Sequence, residues 1–334
     1  MANILVTGGA GFIGSHLIRK LIKDGNEVRV FDNCWRFGKR NLDDILNKID
    51  FIEADIRDFN KVKEAMQDID TVYHLATILG TSYFYTRPCL VLDVGLVGTI
   101  NVIKTIKESK VKRLLFASSS EVYATPQKFP TPETHSLVVP DSTNPRYSYS
   151  STKIVGEILC INFAKKYGFD TSIVRLHNPY GPNMGWDHVI SEFIKRIVLN
   201  EKFTVQGDGT TTRSYCYITD TVDGIVLAAT KEEGKNQIFN IGKEEETSVN
   251  QLIKHLEEIS GKKLKPIYIP LPKGGTDRRK PDISKAKKLL GFNPKIGIKK
   301  GLKLTFDCYK NEINWHLKNS KPEEYPWLIK KSED

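Results

Sequence analysis

The chain has 334 residues, 40% hydrophobic and 27% charged, a balance that fits a folded protein large enough for a full core and for two lobes sharing it. Its net charge of +10 is spread as lysines among nearly as many acids, without an RNP motif, zinc finger or long basic run, so a nucleic-acid partner is set aside in favour of a basic surface suited to an anionic substrate. Five scattered cysteines without a CxxC and seven scattered histidines without an HxxxH argue against a disulfide framework and a metal site, no run approaches ~18 apolar residues, and the start runs straight into a strand, which together read as a cytoplasmic protein with no membrane association.

Asn3-Ile4-Leu5-Val6-Thr7 is a short apolar run ending in Gly8-Gly9-Ala10-Gly11-Phe12-Ile13-Gly14, after which Ile13, Leu17, Ile18, Leu21 and Ile22 recur at helical spacing. A second run, Val28-Arg29-Val30-Phe31, ends at Asp32. Strand, glycine turn, helix, strand and acid in this order make a dinucleotide-binding βαβ unit. The glycines let backbone N–H groups approach a pyrophosphate, and the helix N-terminus adds partial positive charge. Asp32 can accept hydrogen bonds from both adenosine ribose hydroxyls and repels a 2′-phosphate, which selects NAD over NADP.

The alternation continues with strands at 51–54, 71–75, 113–117 and 171–175, and with helices through Val62, Ala65 and Met66 and from about Pro88 to Ser109. Ligands in open α/β sheets bind outside the carboxyl ends of the strands, which is where Ser119 and Glu121 fall. Tyr149 and Lys153 lie four apart, on one face of the next helix. A nearby ammonium favours phenolate over phenol, so Tyr149 is expected to take an alcohol proton, with Ser119 hydrogen-bonding the same oxygen. Beyond about residue 178 the pattern loosens into a smaller mixed lobe, with helices near 187–199, 220–230, 248–260 and 282–290 and short strands at 203–205, 214–218 and 238–241. The fold class is therefore α/β, a Rossmann doubly wound parallel sheet with a smaller mixed C-terminal substrate lobe. The division expected is 1–177 for cofactor binding, 178–317 mainly for substrate with some segments returning to the first domain, and a surface tail at 318–334.

Val6–Ser15, His74-Leu75-Ala76, Ser118–Tyr123, Tyr149–Lys153, Asn178–Pro182, Arg213-Ser214-Tyr215 and Arg278–Ala286 together resemble the extended short-chain dehydrogenase/reductases of the nucleotide-sugar epimerase/dehydratase family, over about residues 3–310. The resemblance implies tightly held NAD, reduced and regenerated in each turnover, and a nucleotide-diphosphate sugar oxidised at C4 by Tyr149 with Lys153 and Ser119. It places Gly8, Gly11, Phe12, Ile13, Gly14, Asp32, Asn33, Asp55, Ile56, Leu75, Ala76, Tyr149 and Lys153 around NAD, and Thr81, Ser120, Asn178, Arg213 and Arg279 around the substrate. It also implies a homodimer built as a four-helix bundle from the helices near 93–109 and 149–166. His74 is expected to be structural, His177 and His188 are open as substrate contacts, and Cys34 and Trp35 are candidates to pack on adenine. Gly95 stands where the family usually has asparagine, Ala124 replaces a glycine, and Ser120 stands where dTDP-glucose 4,6-dehydratases carry an aspartate.

A C4 ketone acidifies C5, which opens three outcomes: 4-epimerisation, loss of water across C5 and C6, or loss of a C6 carboxylate. Glu121 is placed to act as acid or base at C5, beside the bland reading of a glutamate paired with a lysine at a strand end. Ser119-Ser120-Glu121 resembles the Thr-Ser-Glu of GDP-mannose 4,6-dehydratases and UDP-glucuronate decarboxylases. Pro145-Arg146 before Tyr149, and Arg279, lean towards the decarboxylases. A non-catalytic NAD(H) sensor or scaffold is the reading from another class.

Overall fold

The computed structural model describes residues 2–270 and 276–319. Its frame is a seven-stranded, fully parallel sheet built from β1 (Asn3–Thr7), β2 (Glu27–Asp32), β3 (Asp50–Glu53), β4 (Thr71–His74), β5 (Arg113–Ser119), β6 (Asp170–Leu176) and a later strand, Gln237–Ile241. The connecting helices are α1 (Phe12–Lys23), α2 (Phe59–Ala65), α3 (Thr81–Thr86), α4 (Pro88–Ile106) and α5 (Ser148–Tyr167). The rest of the chain forms β7 (Pro179–Tyr180), α6 (Val189–Leu199), β8 (Phe203–Gln206), β9 (Thr212–Arg213), β10 (Cys216–Tyr217), α7 (Ile218–Thr230), β11 (the Gln237–Ile241 strand), β12 (Thr247–Ser248), α8 (Val249–Ser260), β13 (Pro266–Ile269), β14 (Arg278–Arg279) and α9 (Ile298–Asn319).

The strand order is β11-β6-β5-β4-β1-β2-β3, so the chain winds one way from β1 and the other way from β4. The crevice between the carboxyl ends of β1 and β4 is the switch point at which such sheets bind ligands. Both faces are covered, and the strands read as nearly continuous buried runs for that reason. On one face Leu5, Phe31, Val72, Leu114 and Phe116 pack on Val91, Val102 and Ile103 of α4 and Cys160 and Ala164 of α5. On the other, Val6, Val30, Leu115 and Val174 pack on α1 and α7, and the same core continues into Ile194 of α6, Leu252 of α8 and Leu302 and Phe306 of α9.

Strand β11 joins the edge of the main sheet beside β6, a return to the first domain of the kind expected of some segments beyond 178. Two features differ from the sequence expectation. Helix α9 was not anticipated: Leu302, Thr305, Phe306, Tyr309 and Ile313 make a buried stripe, but the surrounding lysines and polar residues mask it in a composition reading. It also runs through Lys318 to Asn319, where a tail was expected to begin, and 320–334 lie outside the described residues. Finally, α4 is long and apolar enough by length and composition to cross a membrane, but more than half of its apolar window is buried within the protein, as befits a core helix.

Candidate active site

One cavity of about 550 Å³ runs along the carboxyl ends of the strands, from the glycine turn after β1 to Arg279 on β14. At the cofactor end, Gly8 sits at φ +74°, and a Cβ there would lie 2.7 Å from the Ala76 nitrogen. A Cβ on Gly14 would fall 2.4 Å from the Gly8 carbonyl, so only glycine permits this turn against α1. Helix α1 begins at Phe12 without a side-chain cap, leaving its first N–H groups to the cavity that Gly11, Phe12, Ile13 and Gly14 line. Asp32 closes β2, accepting the Ala10 N–H at 3.0 Å and the Cys34 N–H at 2.8 Å, while burial pushes its carboxyl above the ordinary value. Asn33, Asp55, Ile56, Leu75 and Ala76 line the same end. Asp55 is gripped by Arg57, with a further contact from Asn33 at 3.3 Å, which holds its carboxyl down at about 2. An uncapped helix N-terminus, a glycine cradle and an acid at the end of β2 fit a dinucleotide with a pyrophosphate and a free ribose diol.

In the middle, Ser119 ends β5. Its Oγ accepts the Glu121 N–H at 3.2 Å, and its hydroxyl is placed to favour the Tyr149 phenolate. Tyr149 is buried with its ring stacked on Phe84, centroids 5.2 Å apart and 9° from parallel. The Lys153 ammonium stands over the rings of Phe116 and Tyr149, 4.9 and 5.6 Å from their centroids. The expected lowering of the tyrosine by the lysine is not what the resting site displays. Burial raises the Tyr149 phenol above its ordinary range and brings Lys153 down to about 8, because the pocket penalises both charged forms.

His74 is a fixed structural group. The Thr99 hydroxyl donates to the Gly95 carbonyl at 2.6 Å and so accepts from His74 Nε2 at 3.0 Å, which leaves Nδ1 to accept from Thr7 Oγ1 at 2.7 Å. Burial holds this ring neutral down to about 3. Gly95 is explained by packing: a Cβ there would lie 2.7 Å from Cβ and Cγ2 of Thr152, so α4 and α5 meet where an asparagine has no room.

At the substrate end, Thr81, Ser120, Glu121, Asn178 and Arg279 line the cavity, whereas Arg213 does not. Arg213 is the register partner of Arg279 across β9 and β14, and its guanidinium is tied to the carbonyls of Thr212, Thr276 and Asp277. Two arginines facing each other across a ladder repel and call for an anion. Part of that need is met by Glu121, which is ion-paired with Arg279 and has Arg146 4.0 Å from its other oxygen. Burial pushes the Glu121 carboxyl up, but Arg279, Arg146 and Arg213 outweigh it and hold the group down at about 2. The bland expectation, a glutamate paired with a lysine, is thus replaced by an arginine cluster. The Asn178 amide donates to the Ser214 carbonyl at 3.1 Å, at a residue held at φ +41°.

Of the histidines left open, His188 lines the cavity, neutral down to about 4 through burial and the nearby Arg36, whereas His177 lies behind it on Asn240 at 3.0 Å. Trp35 is at the cavity mouth against Tyr83, ring centroids 5.1 Å apart, while Cys34 is not in the lining. Two features escaped the sequence reading: Phe84 beneath the Tyr149 ring, and Arg36, which crosses the mouth to pair with Asp187 at 2.8 Å. Neither carries a local motif. Among the described residues no three His, Cys, Asp or Glu side chains gather as a metal site.

This geometry can be set beside known proteins. The sequence model of the NAD dependent epimerase/dehydratase family matches residues 4–242. The chain is 33% identical to UDP-glucuronic acid decarboxylase 1 of Xenopus tropicalis over 98% of its own length and 77% of that protein. It is 34% identical to a putative UDP-glucose 4-epimerase of Methanocaldococcus jannaschii, covering 92% of this chain and 98% of that one. Among solved structures, the UDP-glucuronic acid 4-epimerase of Bacillus cereus with UDP-glucuronic acid and NAD aligns with a TM-score of 0.86 at 30% identity, over 93% of this chain and 99% of the other. The UDP-glucose 4-epimerase of Thermotoga maritima aligns equally well, TM-score 0.86 at 34% identity, with the same coverages. With the glycine cradle, Asp32 and the Ser119–Tyr149–Lys153 group assembled in one cavity, the chain belongs to the NAD-dependent epimerase/dehydratase family, whose cofactor is NAD.

Proposed function

We propose that this enzyme oxidises a nucleotide-diphosphate hexuronate at C4 and then releases C6 as carbon dioxide. The observation that carries the reading is the Glu121–Arg279 ion pair, set in the same cavity as Ser119, Tyr149 and Lys153. Arg279 is 5% exposed, and its Nε is buried without an acceptor. With Arg213 alongside it and Arg146 across Glu121, the positive charge exceeds the negative and suits an anionic sugar carbon.

NAD, which Gly8, Gly11, Gly14, Asp32 and Lys153 would hold, would supply the hydride acceptor and the hydride returned at the end of the turnover. Tyr149 takes the proton of the C4 hydroxyl, Ser119 holds the same oxygen, and Lys153 offsets the burial of the phenolate. The 4-ketone lies β to the C6 carboxylate. The C5–C6 bond breaks, its electron pair moves to the C4 oxygen as an enolate, and carbon dioxide leaves; C5 then takes one proton from solvent water oriented by the Glu121 oxygen that Arg279 does not hold, and the enolate returns to the ketone. Glu121, ionised down to about 2, presents a like charge to the substrate carboxylate that Arg279 positions, and the repulsion is relieved as neutral carbon dioxide departs. Dehydration of the dTDP-glucose type is less well supported, because Ser120 offers a hydroxyl where those enzymes carry the aspartate that assists a leaving C6 oxygen.

A second reading, 4-epimerisation, draws on the relatives and structural neighbours named as 4-epimerases. A purely binding role fits poorly with Ser119, Tyr149 and Lys153 all being present in one cavity. Val97 of α4 and Val155 and Ile158 of α5 are exposed on adjoining helices, which supports a homodimer through those two helices. The test is product mass after incubation with a panel of UDP-, GDP- and dTDP-sugars without added reductant. Loss of carbon dioxide from a hexuronate supports the proposal, and an isomer of unchanged mass transfers it to epimerisation.

A further inference from the structure

Lys153 keeps its charge in surroundings that do little to stabilise it. The residue is 4% exposed and its ammonium rests over two aromatic rings. One helical turn further along α5 stands Glu157, whose side chain is 2% exposed. Gly156 makes that depth possible. A Cβ there would lie 2.4 Å from the Phe116 ring, so α5 settles against β5 and brings Glu157 down to the sheet.

The Glu157 carboxylate is held from three sides. Oε1 accepts from Ser118 Oγ at 2.5 Å and from Arg175 Nε at 2.9 Å, and Oε2 accepts from Arg175 Nη2 at 2.7 Å. Arg175 also donates from Nη1 to the Tyr123 hydroxyl at 2.8 Å, and that hydroxyl donates to Asn240 Oδ1 at 2.8 Å. The Asn240 amide then spans the carbonyls of Thr131 and Asp282 at 3.0 and 3.1 Å. Donor and acceptor roles are fixed along this chain, since arginine only donates, to Glu157 on one side and to Tyr123 on the other. Each end of it abuts the site: Ser118 precedes Ser119, Glu157 follows Lys153 by one turn, and Asp282 lies three residues beyond Arg279.

We infer that Glu157 is a positioning residue for proton transfer: fixed by Arg175 and Ser118, its carboxylate provides the negative charge that keeps Lys153 an ammonium, and it locks the strand end bearing Ser119. The inference rests on the reading of Tyr149 and Lys153 given above. Glu157 is not part of the cavity lining, so it acts through its neighbours. Other ionisable groups around Lys153 do not supply the charge. His74, from β4, is neutral, and the thiol of Cys160 and the phenol of Tyr149, both on α5, are held protonated by burial. Arg175, from β6, is the cation that Glu157 already binds. Burial lowers Lys153, and Cys160 and Glu157 oppose that fall; with the thiol protonated, Glu157 is the one of the two that carries charge. Packing alone does not require a buried ion pair, since apolar residues of similar volume fill such sites at least as well.

The test follows the Lys153 ammonium directly in the NAD-loaded protein, by NMR titration of isotopically labelled lysine side chains, with Lys153→Ala identifying the signal. In Glu157→Gln the titration midpoint is expected to fall by about one pH unit or more, and Glu157→Asp, which keeps the charge, to restore most of it. Sugar-dependent turnover at pH 8 should fall about fivefold or more in Glu157→Gln, consistent with a shift of that size. Should Glu157→Gln not fold because Arg175 is left unpaired, the double change Glu157→Gln with Arg175→Met removes both charges, and a smaller downward shift is expected, because the lost cation partly offsets the lost carboxylate. A Lys153 midpoint unchanged in these variants overturns the inference. Because the titration needs no substrate, that result is distinct from a failure of the decarboxylation reading.

Discussion

Glu121 and Arg279, 158 residues apart in sequence, form an ion pair inside the cavity that holds Tyr149. The pairing joins the 3-10 turn after β5 to β14 and so ties the end of β5, where Ser119 stands, to the C-terminal part of the chain. It also makes Arg279 the residue whose loss should be felt first by an anionic sugar. Arg279→Met removes the grip on the carboxylate and leaves Glu121 without its nearest cation. The kcat/KM for a hexuronate should fall roughly 10²-fold or more, the usual result of truncating one partner of a buried charge pair. Bound NAD, measured by absorbance after denaturation, should be unchanged. Arg279→Lys should recover only part of the loss, because a single ammonium cannot reproduce the guanidinium fork.

Tyr149→Phe keeps the stacking on Phe84 and removes the hydroxyl shared with Ser119. Turnover should drop by about 10²–10⁴-fold, the range for removal of a general base, with NAD retained. Single-turnover measurement of NAD reduction by substrate isolates this step; near wild-type reduction would remove Tyr149 from the chemistry.

Activity and stability should part company at alkaline pH. Lys153 titrates at about 8 in the folded protein against an ordinary 10.5, so its charge, and with it support for the phenolate, is lost as pH rises through about 8. Between those two values the unfolded chain binds more protons than the folded one, so the contribution of Lys153 to stability rises with pH. Turnover should therefore fall above about pH 8 without a lower urea midpoint from this group. The acid side has a different sign. Glu121 is lowered to about 2, so its pairing with Arg279 stabilises the fold above the ordinary carboxylate value and is lost only as pH falls through about 2. The stability lost in Glu121→Gln should thus be constant above the ordinary carboxylate value and shrink as pH falls towards about 2, which urea unfolding of the two proteins at several pH values would check.

Gly95→Asn restores the residue usual at this position in the family and is expected to harm the protein. The added Cβ would meet Thr152, whose hydroxyl donates to the Tyr149 carbonyl at 2.8 Å, so the strain reaches the turn carrying the catalytic tyrosine. Destabilisation of about 1–3 kcal/mol, typical of overpacking, should appear in urea unfolding. Gly95→Asn combined with Thr152→Ala should recover part of it.

Much of this was legible from local pattern. The glycine turn, Asp32 and the spacing of Tyr149 and Lys153 each depend on neighbours within one βαβ unit or one helix, so periodicity and turn chemistry reveal them. Pairings between distant segments were not legible. Arg213 faces Arg279 only because β9 and β14 are neighbours, and β11 reaches the edge of the main sheet only because its partner is β6. The phenol of Tyr149 shows the same limit in energetic form: the spacing identifies the lysine, but the burial that raises the tyrosine comes from α3 and the sheet, which spacing does not contain. Glu157 was within reach, one turn beyond Lys153, but its weight depends on Arg175 and Ser118, which arrive from two strands.

The most direct test of the central claim is the fate of C6 in a nucleotide-diphosphate hexuronate labelled isotopically at that carbon. With purified protein, UDP-glucuronate and no added cofactor beyond NAD, the label is predicted to appear as carbon dioxide at the rate of sugar turnover, and Glu121→Gln is predicted to reduce NAD while releasing little label. Turnover that retains the label in an isomer of the substrate would contradict decarboxylation and leave C4 epimerisation as the reaction.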